Sequence, residues 1–334
     1  MAIPRSIKMG IALVPLAAIG LTGYTALSAR SAHDASFSSR QQDRGSRIAF
    51  TRLVEDDTDP EQRFETHAEI WIMNGDGTEP RQLTDNDTDD IGATWAPDGQ
   101  TIAFYGIQWG PGPNGGLVIV PPPYVYLVDV SSGYQTALTR GRFPSWSPSG
   151  RQIAFDSSGA AAKLFVINVD GSGLELLPGQ PTARNIRPDW SPGGRQIAFV
   201  SGAIGEESIY VMNLDGTELT LLTVGNAPDW SPDGRRILYQ RPSHLGGTND
   251  IHVIDADGTN DTQLTFYPGE DLGADWSPDG RSIVFEREPD GTDDSLQQVF
   301  VLDVSIPGAR AVPLTFWPSI NGHPDWAHGR PATQ

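Results

Sequence analysis

One apolar triplet recurs along the chain: Ile48-Ala49-Phe50, Ile102-Ala103-Phe104, Ile153-Ala154-Phe155, Ile197-Ala198-Phe199, Ile237-Leu238-Tyr239 and Ile283-Val284-Phe285. After each triplet and a polar gap comes a second apolar run, at residues 70–73, 125–128, 164–167, 209–212, 251–254 and 299–302. These second runs are apolar at successive positions, His252 excepted, so they predict strands covered on both faces of their sheet. A recurring Leu-Thr (Leu83-Thr84, Leu138-Thr139, Leu264-Thr265, Leu314-Thr315) marks a further strand beyond each run. No sustained helical period follows the first thirty or so residues.

Ahead of five of the triplets stands a tryptophan, seven residues before the Ile: Trp95, Trp146, Trp190, Trp230 and Trp276. A sixth, Trp326, lies near the C-terminus. The fullest phrase is Pro228-Asp229-Trp230-Ser231-Pro232-Asp233-Gly234-Arg235, whose Pro and Gly occupy the turn positions that type I geometry favours. Asp215-Gly216 and Asp257-Gly258 mark tight connections between the third and fourth strands. Gaps of 51, 44, 40, 46 and 50 residues between the tryptophans fall in the range of a four-stranded propeller blade. The first triplet has Gln41 where its tryptophan should be, and Trp326 has Thr333 where its Ile should be. Pairing the two incomplete ends completes a sixth blade and removes the open sheet edges. The predicted fold is therefore an all-β six-bladed β-propeller, residues 47–334, closed by its N- and C-terminal strands.

At these residues the sequence resembles the TolB-type propeller repeats, also described as WD40-like or PD40 repeats. The resemblance spans about Arg47 to Trp326, and its phrase is specific for the repeat. It says much less about activity, because propellers host binding modules and enzymes alike. TolB members carry an α/β domain before the propeller, and peptidase relatives carry a separate hydrolase domain. Here the repeats follow only a short polar stretch, so the resemblance implies the functions of the propeller alone.

That stretch changes the expected location. Arg5 and Lys8 precede an apolar run from Met9 to Ala29 that exits through Ala26-Leu27-Ser28. Residues 1–29 read as a secretory signal, cleaved at the small-residue exit, or as an uncleaved anchor helix long enough to cross a bilayer. Both place the remainder outside the cytoplasm, periplasmic or secreted, with residues 30–46 as a flexible tether. Membrane contact is expected only through an uncleaved anchor.

The 334 residues contain 23 Lys and Arg against 42 Asp and Glu, a net charge of −19. Such a surface disfavours nucleic acid and suits cations or basic partners. With no Cys, disulfides, thiolate metal sites and an N-terminal lipidated Cys are excluded. The 37 Gly and 27 Pro fit a turn-rich chain.

Strand order places the Ser-Pro-Asp-Gly turns on one face of the ring, and the second-to-third loops with the blade links on the other. The long insertions belong to that second, loop face, where functional residues are expected. There the acid gathers: Glu55, Asp56, Asp57, Asp59 and Glu61; Asp85, Asp87, Asp89 and Asp90; Glu270 and Asp271; and Glu286, Glu288, Asp290, Asp293 and Asp294. Three readings stand for this rim: solvation, a Ca²⁺ site, or a basic protein partner. Asp85-Asn86-Asp87-Thr88-Asp89 has the alternating oxygen ligands of a calcium loop, but Asp90 and Ala96 replace the Gly and Glu of an EF-hand. No other cofactor is called for.

Asp189, Asp229, Asp275 and Asp325 directly precede their tryptophans, with Thr94 and Ser145 in the other slots. They are expected near the axis, either bonding turn amides or lining a channel able to hold a cation. The Gly110-x-Gly112-x-x-Gly115 match is read as chance, since prolines interrupt it and no helix follows. The surrounding insertion, with Trp109, Val118 and Ile119, reads as an apolar lip or a packed hairpin. No Gly-x-Ser-x-Gly elbow or His-Glu-x-x-His pattern occurs. The histidines are scattered, and His252 is expected to be a satisfied blade residue. The leading functional expectation is an extracytoplasmic scaffold that binds a protein partner through the acidic loop face. The alternative is a secreted lyase or hydrolase acting on polysaccharide or peptide, with loop-face carboxylates as acid and base.

Overall fold

The computed structural model describes residues 46–55, 66–111, 117–119, 122–242, 248–288, 297–316 and 320–328, and all regular structure among them is β-strand. The expected leader and nearly all of the tether lie outside them. Six four-stranded antiparallel sheets form six blades. In the first, Asn321–Trp326 is innermost, followed outward by Arg47–Glu55, Thr66–Asn74 and Arg81–Gln82. The innermost strands of blades two to six are Asp89–Trp95, Arg142–Trp146, Asn185–Trp190, Asn226–Trp230 and Asp271–Trp276. The triplets lie on the second strands and the two-faced apolar runs on the third, as the pattern predicts. The last strand pairs with the first, Ile48 opposite Trp326. Neighbouring innermost strands contact one another all the way round, the first blade touching both the second and the sixth. The described residues are thus a six-bladed β-propeller.

Packing follows the repeat. Ile48, Phe50, Ile102, Phe104, Ile153, Ile197, Phe199, Ile237, Ile283 and Phe285 have no accessible surface. Each buried side chain of this size contributes roughly 1.5–3 kcal/mol. In four blades the last residue of the triplet meets an aromatic ring of the third strand at centroid separations of 5.5–6.1 Å: Phe104 with Tyr126, Phe155 with Phe165, Phe199 with Tyr210 and Phe285 with Phe300. In blade five the partner of Tyr239 is His252, at 5.4 Å. His252 therefore occupies the aromatic slot of its blade. Its Nδ1 lies 3.3 Å from Asp261, which also accepts from Arg241.

The Leu-Thr signal has a physical basis as well. The outer strands of blades one, five and six are only two residues long, Arg81–Gln82, Thr262–Gln263 and Val312–Pro313. Beyond them the hydroxyls of Thr84, Thr265 and Thr315 accept the amides of Ile70, Ile251 and Val299. A side chain thus continues the ladder after the backbone has turned away. The Trp109 insertion is a separate two-stranded hairpin, Trp109–Pro111 with Leu117–Ile119.

Trp326 sits at the seam between chain ends with no accessible surface. Trp326→Ala should cost ~3–5 kcal/mol through the cavity it leaves, read as a lower urea midpoint. An unchanged midpoint would mean that the seam contributes nothing to stability.

Candidate functional site

At five of the six tryptophans the preceding side chain reaches across to the next blade; Thr94 instead offers its carbonyl to the Trp146 indole, at 3.1 Å. Asp325 of blade one accepts the amide of Trp95 at 2.9 Å, and Ser145 of blade three accepts that of Trp190 at 3.0 Å. Asp189 accepts Trp230 at 2.7 Å, Asp229 accepts Trp276 at 3.1 Å, and Asp275 accepts Trp326 at 2.6 Å. These bonds sew successive blades together around the axis. The hydroxyl of Ser145 also donates to Asp189, and that of Thr94 to Asp325.

The relay concentrates carboxyl groups. Enclosure by the six strands pushes Asp189 and Asp325 up to about 7, with the Trp230 and Trp95 amides opposing the shift. Asp229 and Asp275 are raised well above the ordinary range, first by burial, then by the charges of Asp189 and Asp325 for Asp229 and of Asp229 and Asp325 for Asp275. Asp189, Asp229 and Asp325 each keep some accessible surface. Asp229 and Asp275 also lie within hydrogen-bonding reach of each other, so the pair can share one proton.

Two residues nearer the loop face is a second tier. The third residue before each tryptophan is Gly92, Phe143, Arg187, Ala227, Gly273 and His323, all with φ between 48° and 64°. In each of blades two to six this residue falls within the register shift between the two innermost strands, so a β-bulge aims it at the axis. Glycine suits this backbone, while Phe, Arg, Ala and His there cost roughly 1–3 kcal/mol each. Sequence reasoning passed over this tier; its signal was a non-repeating position inside a repeated phrase.

The side chains of that tier meet others from the ends of the second strands. The Arg187 guanidinium lies 4.3 Å from the centre of the Phe143 ring. Tyr105 also packs against Phe143, with ring centroids 5.0 Å apart. Asp156, with no accessible surface, takes Arg142 at 3.5 Å and the Ser158 amide at 2.8 Å. Opposite, Glu286 is buried and accepts the His323 amide at 2.8 Å, with the His323 ring 3.8 Å away. Burial raises the Tyr105 hydroxyl to about 12 and lowers Arg187, each moderated by the charge of the other. The tier therefore combines guanidinium, phenol, imidazole and carboxylate around one opening.

The predicted acidic rim is placed only in part. Asp56, Asp57, Asp59, Glu61, Asp290, Asp293 and Asp294 lie outside the described residues, as does the side chain of Glu55. Asp85 and Asp87 are exposed. Asp89 turns to the Ala68 amide and the Trp109 indole, at 2.9 and 2.6 Å. Asp90 is buried on Asn86 and Thr88 and pushed up to about 7 by desolvation. Glu270 and Glu288 lie close enough for the Glu288 charge to add to the burial that raises Glu270. Asp271 has no accessible surface and is committed to Arg287, at 2.6 and 2.8 Å. No three Asp, Glu or His side chains converge to hold a metal ion among the described residues. Asp85, Asp87 and Asp89 are thus not gathered round one point, and the Asp ring spends its oxygens on amides. An off-axis cavity of about 240 Å³ beside Tyr267, Phe300 and Phe316 is mostly apolar, and its Arg287 is already paired with Asp271.

Six sheets around an axis, the innermost strands sewn by pre-tryptophan side chains, define the class as a six-bladed β-propeller. No family model matches the sequence, and no curated protein matches it either. Among solved structures, TolB from Acinetobacter baumannii is similar at 18% identity, covering 86% of this chain and 68% of that one, with a TM-score of 0.67. The nidogen/laminin complex contains a chain similar at 12% identity, TM-score 0.62, over 85% of this chain and 98% of that one. Kuenenia stuttgartiensis hydrazine synthase is similar at 16% identity, TM-score 0.60, over 84% of this chain and 46% of that one. The fold is that of the TolB propeller, and proteins of different function share it.

Because burial raises the folded-state values of the ring aspartates above their unfolded value, protonation favours the folded ring. That advantage is present at low pH and is lost as pH climbs from about 4 through about 7. Asp229→Asn keeps an acceptor for Trp276 and removes the charge. Its melting temperature should exceed wild type at pH 8 by about 2–4 °C per kcal/mol relieved, and the gain should shrink toward pH 5. Equal melting at both pH values would show that the ring bears no repulsion.

Proposed function

We propose that this chain is an extracytoplasmic binding propeller, TolB-like in fold, which docks a protein partner of basic character on its loop face. The observation that carries the reading is the inner tier at that face. Four non-glycine side chains are held in left-handed backbone at the axial opening, a cost that folding alone does not require. The acidic character supports a basic partner: a net charge of −19, with Asp85 and Asp87 exposed on a blade link. The basic, apolar and small-residue order of residues 1–29 supports export, and a shared fold with TolB agrees with that address. Among the described residues no helix is long and apolar enough to cross a membrane.

A second reading, a secreted lyase or hydrolase, is favoured by Glu286 lying beside His323 with Tyr105 in the same tier. These groups could accept and donate a proton across a bound substrate.

A photoreactive amino acid placed at Asp87, on the loop face, should yield covalent adducts with a partner protein in the source cell. The same probe at Asp98, exposed on the Ser-Pro-Asp-Gly face, should yield none. Adducts from Asp98 and not from Asp87 would place binding on the wrong face.

A further inference from the structure

The inner tier contains a cation that folding leaves unused. Arg142 is neutralised by Asp156, and Arg287 by Asp271. The Arg187 guanidinium forms no ion pair and no hydrogen bond among the described residues; only its backbone amide does, to Asp156. It is also not sealed in the core, since its polar atoms retain surface toward the axis. The Tyr105 hydroxyl is in the same state: the residue is 95% buried, yet nothing described bonds its oxygen. Both groups flank the Phe143 ring and sense each other's charge. Two donors, one of them cationic, thus meet at one aromatic ring, and neither has a side-chain hydrogen-bond acceptor among the described residues.

Burial disfavours the charged guanidinium, and no protein acceptor among the described residues offsets that. Backbone strain at Arg187, whose φ is 50°, adds to this, although blades two and six show that glycine fits the same slot. The cost is explained if a ligand supplies the missing acceptor. A guanidinium with a neighbouring phenol suits a planar carboxylate, which takes two parallel N–H bonds and a third from the hydroxyl. A phosphate dianion fits less well, because Asp156 and Glu286 stand within electrostatic reach of the same guanidinium. The surrounding face decides the carrier. A polyuronate would bring a row of negative charges over an acidic rim, whereas a peptide can bring basic side chains to the rim and one carboxylate to the centre.

We infer that the axial opening of the loop face is a carboxylate seat, in which Arg187 and Tyr105 grip a single carboxylate of a peptide segment against Phe143. The inference rests on the reading of that face as a protein-binding surface and names what its centre recognises.

The test uses the purified protein and a dye-labelled peptide, Lys-Ala-Lys-Ala-Leu, with either a free C-terminal carboxylate or a carboxamide. Fluorescence anisotropy should show saturable binding of the acid, about tenfold or more tighter than the amide, the scale of one charge-assisted contact. Trigalacturonate in excess should not displace it. Arg187→Gly should erase the difference between acid and amide while its melting temperature equals or exceeds wild type. Tyr105→Phe should narrow the difference several-fold without changing the melt. Equal binding of acid and amide, absence of saturable binding by either, or discrimination that survives Arg187→Gly would overturn the inference. So would a melting temperature several degrees lower in Arg187→Gly, which would make the guanidinium structural. Displacement by trigalacturonate would contradict the peptide assignment. If the seat fails while loop-face adducts still form in cells, the binding face stands and only its centre is misread.

Discussion

Five of the six blade junctions are tied at the axis by one hydrogen bond, from a tryptophan backbone amide to the side chain that precedes the tryptophan one blade earlier; at the sixth the Trp146 indole donates to the Thr94 carbonyl. Apolar packing between blades has no direction, and by itself it would tolerate sliding of one sheet on another. The axial bond fixes the register, because the acceptor and the amide must meet within about 3 Å. A short side chain with an accepting oxygen suits the slot, which is why four Asp and one Ser stand at those five junctions. The consequence is electrostatic. Four carboxyl groups are drawn into one enclosed space and driven toward the protonated form.

The same strand shape creates the opening above the ring. A bulge three residues before each tryptophan turns that position inward, and what stands there varies from blade to blade: glycine in two, Phe, Arg, Ala and His in the others. Stability alone would favour glycine at a left-handed position, as blades two and six have. Phe143, Arg187 and His323 instead accept strain, and Arg187 also accepts desolvation without an ion pair. Strain and an unmet charge at one opening are what the proposed binding role rests on.

Much of the fold was legible in the sequence because its signals are local. The Trp phrase, the triplet seven residues later and the turn residues each lie within a dozen positions, and together they mark blade after blade. Leu-Thr could be recognised as a strand end, but not as a hydroxyl continuing the ladder, since Thr84 meets Ile70 only when the sheet is built. The relay was less accessible. Asp325 and Trp95 are 230 residues apart, and no phrase shows that they touch. The aspartates before the tryptophans were recognised as axial, with turn amides as one expected partner; their partners are tryptophan amides of the following blade. The Asp85–Asp89 alternation shows the limit of spacing in a different way. Its spacing suits ligands, but the side chain of Asp89 is claimed by Ala68 and Trp109. The inner tier escaped because φ depends on the bulge, and the bulge on pairing between strands. Seven of the rim acids predicted from the loops lie outside the described residues.

The relay and the opening depend on carboxyl groups held together against their repulsion. The most direct measurement is an NMR titration of the aspartate carboxyl carbons, assigned for Asp189, Asp229, Asp275 and Asp325. The account predicts that these four titrate far above ordinary surface aspartates, Asp189 and Asp325 near pH 7, with Asp229 and Asp275 moving together as a proton-sharing pair. If all four titrate below about pH 4.5, as unperturbed carboxylates do, the ring is open and solvated, and the axial account of this propeller is wrong.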